Sequence, residues 1–402
     1  MVSAADVRAA RAAVEAVARR TPILSTRTFS ELAGGTVVLK AENLQRTGSF
    51  KVRGVAAKLD SLGEEGCARG VVAASAGNHA QALAAGAAAR GIPCEVFVPV
   101  DAPMAKVEAA RGQGATVHVG GTSVDACLVA ALERAESGGL AFVHPFDDPA
   151  IVAGQGSLGL ELLEDVPDLA QVVIPVGGGG LCAGVALAIK ETNPDVRIVG
   201  VQAAACAPYP ESMERGEPIE AASALTIADG IAIKRPGGVP LAILSELLDG
   251  MVVVGEDAVA EAMALLLERC KLVVEGAGAV GVAALLGGQV APADGVTVAV
   301  LSGGNVDAGL LAAIARRHET EAGRRLVALT RIPDRPGGLA TLLATVASTG
   351  ANIVDVSHVR EGLDLHVRET AVELVLETRG HDHAQSVLDV LQDKGYEAQV
   401  VR

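Results

Sequence analysis

Residues 172–181 read VVIPVGGGGL: five apolar residues, four consecutive glycines, then the leucine that opens a helical run through Glu191. Five apolar residues without polar alternation suit a strand buried on both faces, the habit of parallel sheets. Four glycines cost conformational entropy and add no packing, so Gly177–Gly180 is expected to bring backbone close to a ligand. Its N–H groups, with the positive end of the helix after it, would suit a phosphate. The loop lacks the G-K-[S/T] ending of a nucleotide P-loop and the spacing of a dinucleotide fingerprint. A tight structural turn is the bland alternative.

The same strand–helix rhythm extends on both sides. Val37–Lys40, Val71–Ala74, Cys94–Val98, Thr116–Val119, Ile198–Val201 and Val296–Leu301 read as strands. Lys51–Leu62, Ala80–Arg90, Pro103–Gln113 and Leu181–Glu191 read as helices. Alternation of this kind predicts an α/β fold with parallel sheets and right-handed crossovers. Composition agrees: hydrophobic residues make up 50% and aromatics only 2%, so the core must be built of Ala, Val and Leu.

The pattern changes after the charged stretch Arg316–Arg325. Strand Leu326–Arg331, helix Leu339–Thr349, strands Asn352–Arg360 and Thr370–Thr378, helix Asp382–Lys394 and a closing Tyr396–Val401 give βαββαβ. This C-terminal α+β unit resembles an ACT domain, the module that binds amino-acid effectors in metabolic enzymes. The P-D-R-P-G turn and the G-A-N-I stretch, Gly350–Ile353, carry the likeness. The expected division is a catalytic region 1–318, with a small subdomain at about 48–146, a linker 319–325, and the ACT-like unit 326–402.

Three further motifs carry chemistry. Lys51, in T-G-S-F-K-V-R-G, stands where a loop enters a helix among small and aromatic neighbours. A lysine in a dry pocket has the lowered pKa that a Schiff-base nucleophile requires, although most lysines are solvated surface charges. S-A-G-N-H, Ser75–His79, follows a strand and opens a helix, so its backbone N–H groups could cradle a carboxylate or phosphate. A simple Asn/Ser helix cap is the plainer reading there. S-G-G-N, Ser302–Asn305, again follows a strand. Ligands in open parallel sheets bind at the carboxyl ends of strands, where these last two motifs and the glycine loop all fall.

Together these residues resemble the threonine/serine dehydratase branch of the fold-type II pyridoxal-phosphate enzymes, with the tryptophan synthase β-like fold of two open parallel α/β subdomains. The likeness runs from about Thr21 to Asp307 and includes H-P-F-D-D-P, His144–Pro149, and G-Q-G-S-L-G-L-E, Gly154–Glu161. It implies pyridoxal 5'-phosphate bound through a Schiff base to Lys51, which then serves as the catalytic base. It places Phe50 against the cofactor ring, Asn78 on the ring hydroxyl, Ser302 at the pyridine nitrogen, and Gly177, Gly178, Gly179, Gly180 and Leu181 around the phosphate. Ser75, Asn78 and His79 would receive the substrate carboxylate. A serine at the ring nitrogen leaves the ring neutral and a weaker electron sink, which disfavours transamination. The implied reaction is α,β-elimination from L-threonine or L-serine to a 2-oxo acid and ammonia.

Two departures bear on rival reactions. Related serine racemases place a second serine where this chain has Ala76, and that hydroxyl serves as their opposite-face acid/base. Metal-binding relatives carry acidic residues after a V-G-V-E strand end, whereas here the stretch is V-G-V-Q-A-A-A-C-A-P, Val199–Pro208. A hard cation needs several oxygen ligands, so no metal is expected. A β-replacement enzyme or a non-catalytic amino-acid sensor remain alternatives, separable by 2-oxo acid release and cofactor colour. The net charge of -15, from 33 basic and 48 acidic residues, opposes nucleic-acid or anionic-membrane partners. Six scattered cysteines without a C-x-x-C pair suit reduced thiols in a cytoplasmic protein. The apolar stretch Leu272–Leu286 contains Glu275 and is too short to span a bilayer. The likeness also implies an amino-acid effector such as isoleucine or valine, and a homodimer or homotetramer.

Overall fold

A strand buried on both faces takes a parallel neighbour on each side, and Leu169–Pro175 has two: Val296–Val300 and Arg197–Ala203. They belong to a six-stranded sheet in the order Ile23–Ser25, Thr36–Lys40, Val296–Val300, Leu169–Pro175, Arg197–Ala203, Gly250–Val254. All its pairings are parallel except the edge strand Ile23–Ser25. A second, four-stranded parallel sheet runs Thr116–Val119, Cys94–Val98, Val71–Ala74, Ala141–Phe142. The two-subdomain α/β architecture is thus as expected. Sequence reading missed Ile23–Ser25 and Ala141–Phe142, which are too short for a periodic signal, and also the five-residue edge strand Gly250–Val254.

This computed structural model describes residues 2–360 and 365–401. They fall into two compact units, Met1–Asp307 and Ala308–Arg402. The stretch expected to be a linker, 319–325, begins inside the helix Ala308–Glu321, so the division comes earlier in the chain. Its charges are those of a solvated helix end: Arg317 pairs with Glu321 one turn on, and Arg324 with Glu319.

In the first unit, helices Pro149–Asp165 and Gly180–Thr192 approach very closely. A Cβ at Gly184 would run into the Val152 carbonyl and the Gly156 backbone, and one at Gly159 into Ala188. The glycines of G-Q-G-S-L-G-L-E therefore serve helix packing. Beside them lies a buried charge cluster. Arg53 donates to both oxygens of Glu42 (2.8 Å each) and to Glu161 (2.7 Å), and Lys40 donates to Glu161 (2.6 Å). Two buried cations face two buried carboxylates, and Asp165, partly exposed, adds a third carboxylate 3.6 Å from Lys40 at the edge of the cluster. Arg53 lies in the same helical turn as Lys51, so the cluster anchors the helix Lys51–Cys67 that carries that lysine.

The second unit has a four-stranded antiparallel sheet, Asn352–Val359, Glu369–Glu377, Arg325–Pro333, Gln399–Val400, with helices Gly338–Ser348 and His381–Asp393. After the helix Ala308–Glu321 that opens this unit, the element order is the expected βαββαβ. Its own core gathers Leu326, Leu342, Val346, Leu374, Leu376 and Leu391. Among the described residues no helix is long and apolar enough to cross a membrane.

Candidate active site

Strands Thr36–Lys40 and Val296–Val300 are parallel neighbours, with Lys40 opposite Val300, so the chain segments leaving them emerge side by side. They are stitched together at once. Phe50 donates its N–H to the Ser302 carbonyl (3.1 Å), Gly304 donates to Gly48 (2.9 Å), and Ser49 bridges to Gly303. Lys51 and Ser302, far apart in sequence, thereby meet. Thr47 is held at φ 63, a left-handed conformation that few non-glycine residues adopt, in the turn that delivers Phe50 and Lys51.

The Lys51 amine donates to the Pro145 carbonyl (2.8 Å) and lies 5.2 Å from the centre of the Phe50 ring. Burial of the amine lowers its pKa to about 8, against the opposing pull of Glu275. The residue after Pro145, Phe146, packs its ring against Gly178, and its carbonyl lies beside Gly180. The lysine amine and the glycine loop are therefore joined through one short segment. His144 shapes that segment by accepting the Asp147 N–H at Nδ1 (2.7 Å).

Gly177, Gly178, Gly179, Gly180 and Leu181 are all buried, and Gly180 begins the helix Gly180–Thr192. Any side chain at the middle two would collide, Gly178 with Phe146 and Gly179 with the Tyr209 hydroxyl. Gly179 also has φ 91. Tyr209 donates its hydroxyl to the Gly178 carbonyl (3.0 Å), and Gln202 accepts the Tyr209 N–H (2.9 Å) while donating to Val176 (3.1 Å). Gln202, at the position where metal-binding relatives are expected to carry an acid, thus braces the loop.

Ser75, Asn78 and His79 follow the strand Val71–Ala74, but the helix starts at Asn78 rather than Ala80. The Asn/Ser cap is not what forms: Gly77 is the cap residue, with no side-chain cap bond. Ser75 instead accepts the Gly77 N–H (3.2 Å). The Asn78 amide reaches across the site, donating to Glu275 (2.7 Å) and accepting from Asn305 (2.7 Å). The His79 ring is turned away, buried against the Val143 carbonyl (2.9 Å). Burial and the nearby Lys51 lower its pKa to about 3, so it stays neutral. Any His79 contact with a carboxylate would have to come from its backbone N–H.

A family model described as pyridoxal-phosphate dependent enzyme matches residues 14–303. The chain belongs to the pyridoxal-phosphate-dependent enzymes. It is 45% identical to an L-threonine ammonia-lyase of Geobacter sulfurreducens over 384 residues, 96% of each chain. The solved structure of the processed form of threonine deaminase isoform 2 from Solanum lycopersicum shares 32% identity and a TM-score of 0.73, covering 78% of this chain and 95% of that one. A serine racemase of Dictyostelium discoideum shares 37% identity and a TM-score of 0.72, covering 76% of this chain and 99% of that one.

The residues fit this family's cofactor. A desolvated amine, a glycine cradle whose neighbours leave no room for side chains, and a helix start of 13 residues behind it are what an aldehyde bearing a phosphate would need. Glu275 and Asn305 are the functional candidates that sequence reading left unassigned. In the sequence Asn305 is only the end of S-G-G-N, and Glu275 only a charge in an apolar stretch. That lone carboxylate was the available signal. Glu275 is 3% exposed at the cap of the buried helix Gly276–Leu286. Burial, then Asp229, raises its pKa to about 7, while Asn78, Lys106 and the Asn305 N–H oppose the shift.

Proposed function

We propose that this enzyme deaminates L-threonine to 2-oxobutanoate and ammonia, with L-serine to pyruvate as a lesser activity. The observation that carries the reading is the linkage of the Lys51 amine to the Gly177–Leu181 cradle through Pro145 and Phe146, and to the Asn78 amide through Glu275, in a chain so similar to an L-threonine ammonia-lyase. Bound at Lys51, pyridoxal phosphate supplies the electron sink that weakens the substrate Cα–H bond. Lys51 is the base that takes that proton, its amine being about half uncharged at pH 8 and increasingly so above. Ser75 and the backbone N–H groups opening the helix at Asn78 would hold the substrate carboxylate, while the Asn78 side-chain amide would meet the cofactor's ring hydroxyl. Gly177–Leu181 would hold the phosphate, Phe50 would flank the ring, and Ser302 would offer a neutral hydroxyl to the ring nitrogen. The β-hydroxyl leaves as water, with one proton lost from Cα balancing it, and the released enamine tautomerises to an imine that a second water hydrolyses to ammonia and the 2-oxo acid.

Racemisation is the second reading, favoured by the likeness to a serine racemase. Ala76, between Ser75 and Gly77, puts a methyl group where an opposite-face acid would stand. Incubating the enzyme with L-threonine and following 2-oxobutanoate tests the proposal. Release in step with ammonia supports it. D-serine from L-serine without 2-oxo acid would replace it with racemisation.

The region 326–402 is proposed to be an ACT-type regulatory domain that binds isoleucine or valine. Its βαββαβ order and separate core support that reading. A cytoplasmic homodimer or homotetramer without a metal, its catalytic region ending at Asp307, completes the proposal.

A further inference from the structure

An asparagine amide can present either its oxygen or its nitrogen to a ligand, and the two are nearly the same shape. At Asn78 the choice is made by a chain of hydrogen bonds that begins far from the pocket. The Thr47 carbonyl can only accept, so the Asn305 side-chain atom 2.8 Å away is the nitrogen Nδ2. That nitrogen donates its other hydrogen to Asn78 (2.7 Å), which must therefore turn its oxygen toward Asn305. The Asn78 nitrogen is left facing Glu275 Oε1 at 2.7 Å. One of its two hydrogens is used there.

We propose that Glu275 is a positioning residue: its buried carboxyl holds the Asn78 amide with the remaining N–H free for the cofactor ring hydroxyl. This rests on the cofactor assignment and on the role given above to Asn78. The site is built around that carboxyl. Cβ atoms at Gly303 or Gly230 would press against it, and the Glu275 N–H is tied to the Gly303 carbonyl (3.1 Å). The charged groups facing it are Lys51, Asp229 and Lys106, and the last two pair with each other. A carboxyl accepts from Asn78 through Oε1 whether or not it carries a proton, so the orientation survives titration of Glu275. Without that acceptor only Asn305 restrains the amide, and the N–H meant for the ring is no longer directed.

The test uses holoenzyme, with cofactor retention and the visible absorbance of the bound cofactor as readouts and no amino acid present. Glu275→Met should weaken cofactor retention on the order of 10-fold, one hydrogen bond's worth, and shift the absorbance as Asn78→Ala does. The double variant should be no worse than Asn78→Ala alone, and Glu275→Gln, which keeps an acceptor, should restore retention to within about 3-fold of wild type. Wild-type retention and spectrum in Glu275→Met, or losses that multiply in the double variant, would overturn the proposal. Should Glu275→Met not fold, Glu275→Asp withdraws the acceptor by one methylene and must show the same spectral shift; a wild-type spectrum there is equally fatal. Threonine turnover by the wild type is a separate result, so a different substrate would leave this inference standing.

Discussion

At the scale of single residues, burial pulls the Lys51 amine down to about 8, and the same burial pushes Glu275 up to about 7. Uptake of cofactor by the apoenzyme needs the free amine, so its rate should climb with pH through about 8 and level off above. Stopped-flow absorbance measures this, and a flat rate across that interval would mean that another step controls uptake. Glu275 makes a stability prediction of definite sign. Its folded pKa exceeds the unfolded value of 4.5, so between 4.5 and about 7 the unfolded chain has released a proton that the folded one keeps. Stability falls as pH rises through that window, by about 3 kcal/mol for this group alone. Denaturation of apo wild type beside apo Glu275→Gln should show the wild type losing ground to the variant by that amount. Parallel curves would place the Glu275 pKa near its ordinary value.

Helices and strands impose a different kind of constraint. Helix Pro149–Asp165 lies so close to helix Gly180–Thr192 that Gly184 faces backbone atoms rather than flexible side chains. Alanine normally favours a helix over glycine by up to about 1 kcal/mol. Here Gly184→Ala should nonetheless destabilise the fold, because overpacking costs about 1–3 kcal/mol where neither helix can yield. A lower unfolding temperature is the expected result; a higher one would mean that the helices separate easily. Since Gly180–Thr192 also opens at the glycine cradle, the same variant should loosen cofactor retention. The strand ends supply the other half of the site, with Ser75, Gly177 and Ser302 following Val71–Ala74, Leu169–Pro175 and Val296–Val300.

For the molecule as a whole, the two units each carry a core, and the division falls at Asp307. A chain ending at Asp307 should therefore fold and keep threonine turnover while losing the proposed response to isoleucine or valine. Activity assays with and without the amino acids decide it. An unchanged response in the shortened chain would move the effector site into the first unit.

Much of this protein could be read from the sequence, and particular residues show why the remainder could not. Periodicity marks buried parallel strands such as Val172–Val176, and a run of four glycines marks backbone approach, because both are local consequences of residue type. The motifs at Lys51, Ser75–His79, Gly177–Leu181 and Ser302 stand out for the same reason. A charged run such as 319–325 suits a linker and a solvated helix end equally, so where Ala308–Glu321 ends was not legible. Nor does S-A-G-N-H say that the His79 ring faces Val143 while its neighbour Asn78 reaches Glu275. Those outcomes depend on partners 64 and 197 residues away. Sequence by itself determined the layered α/β plan, the βαββαβ appendage and the residue types gathered at the strand ends. Tertiary structure alone decided which polar atoms are buried together, and hence the pKa values and amide orientation of the site, because desolvation and hydrogen bonding act between segments that meet only on folding.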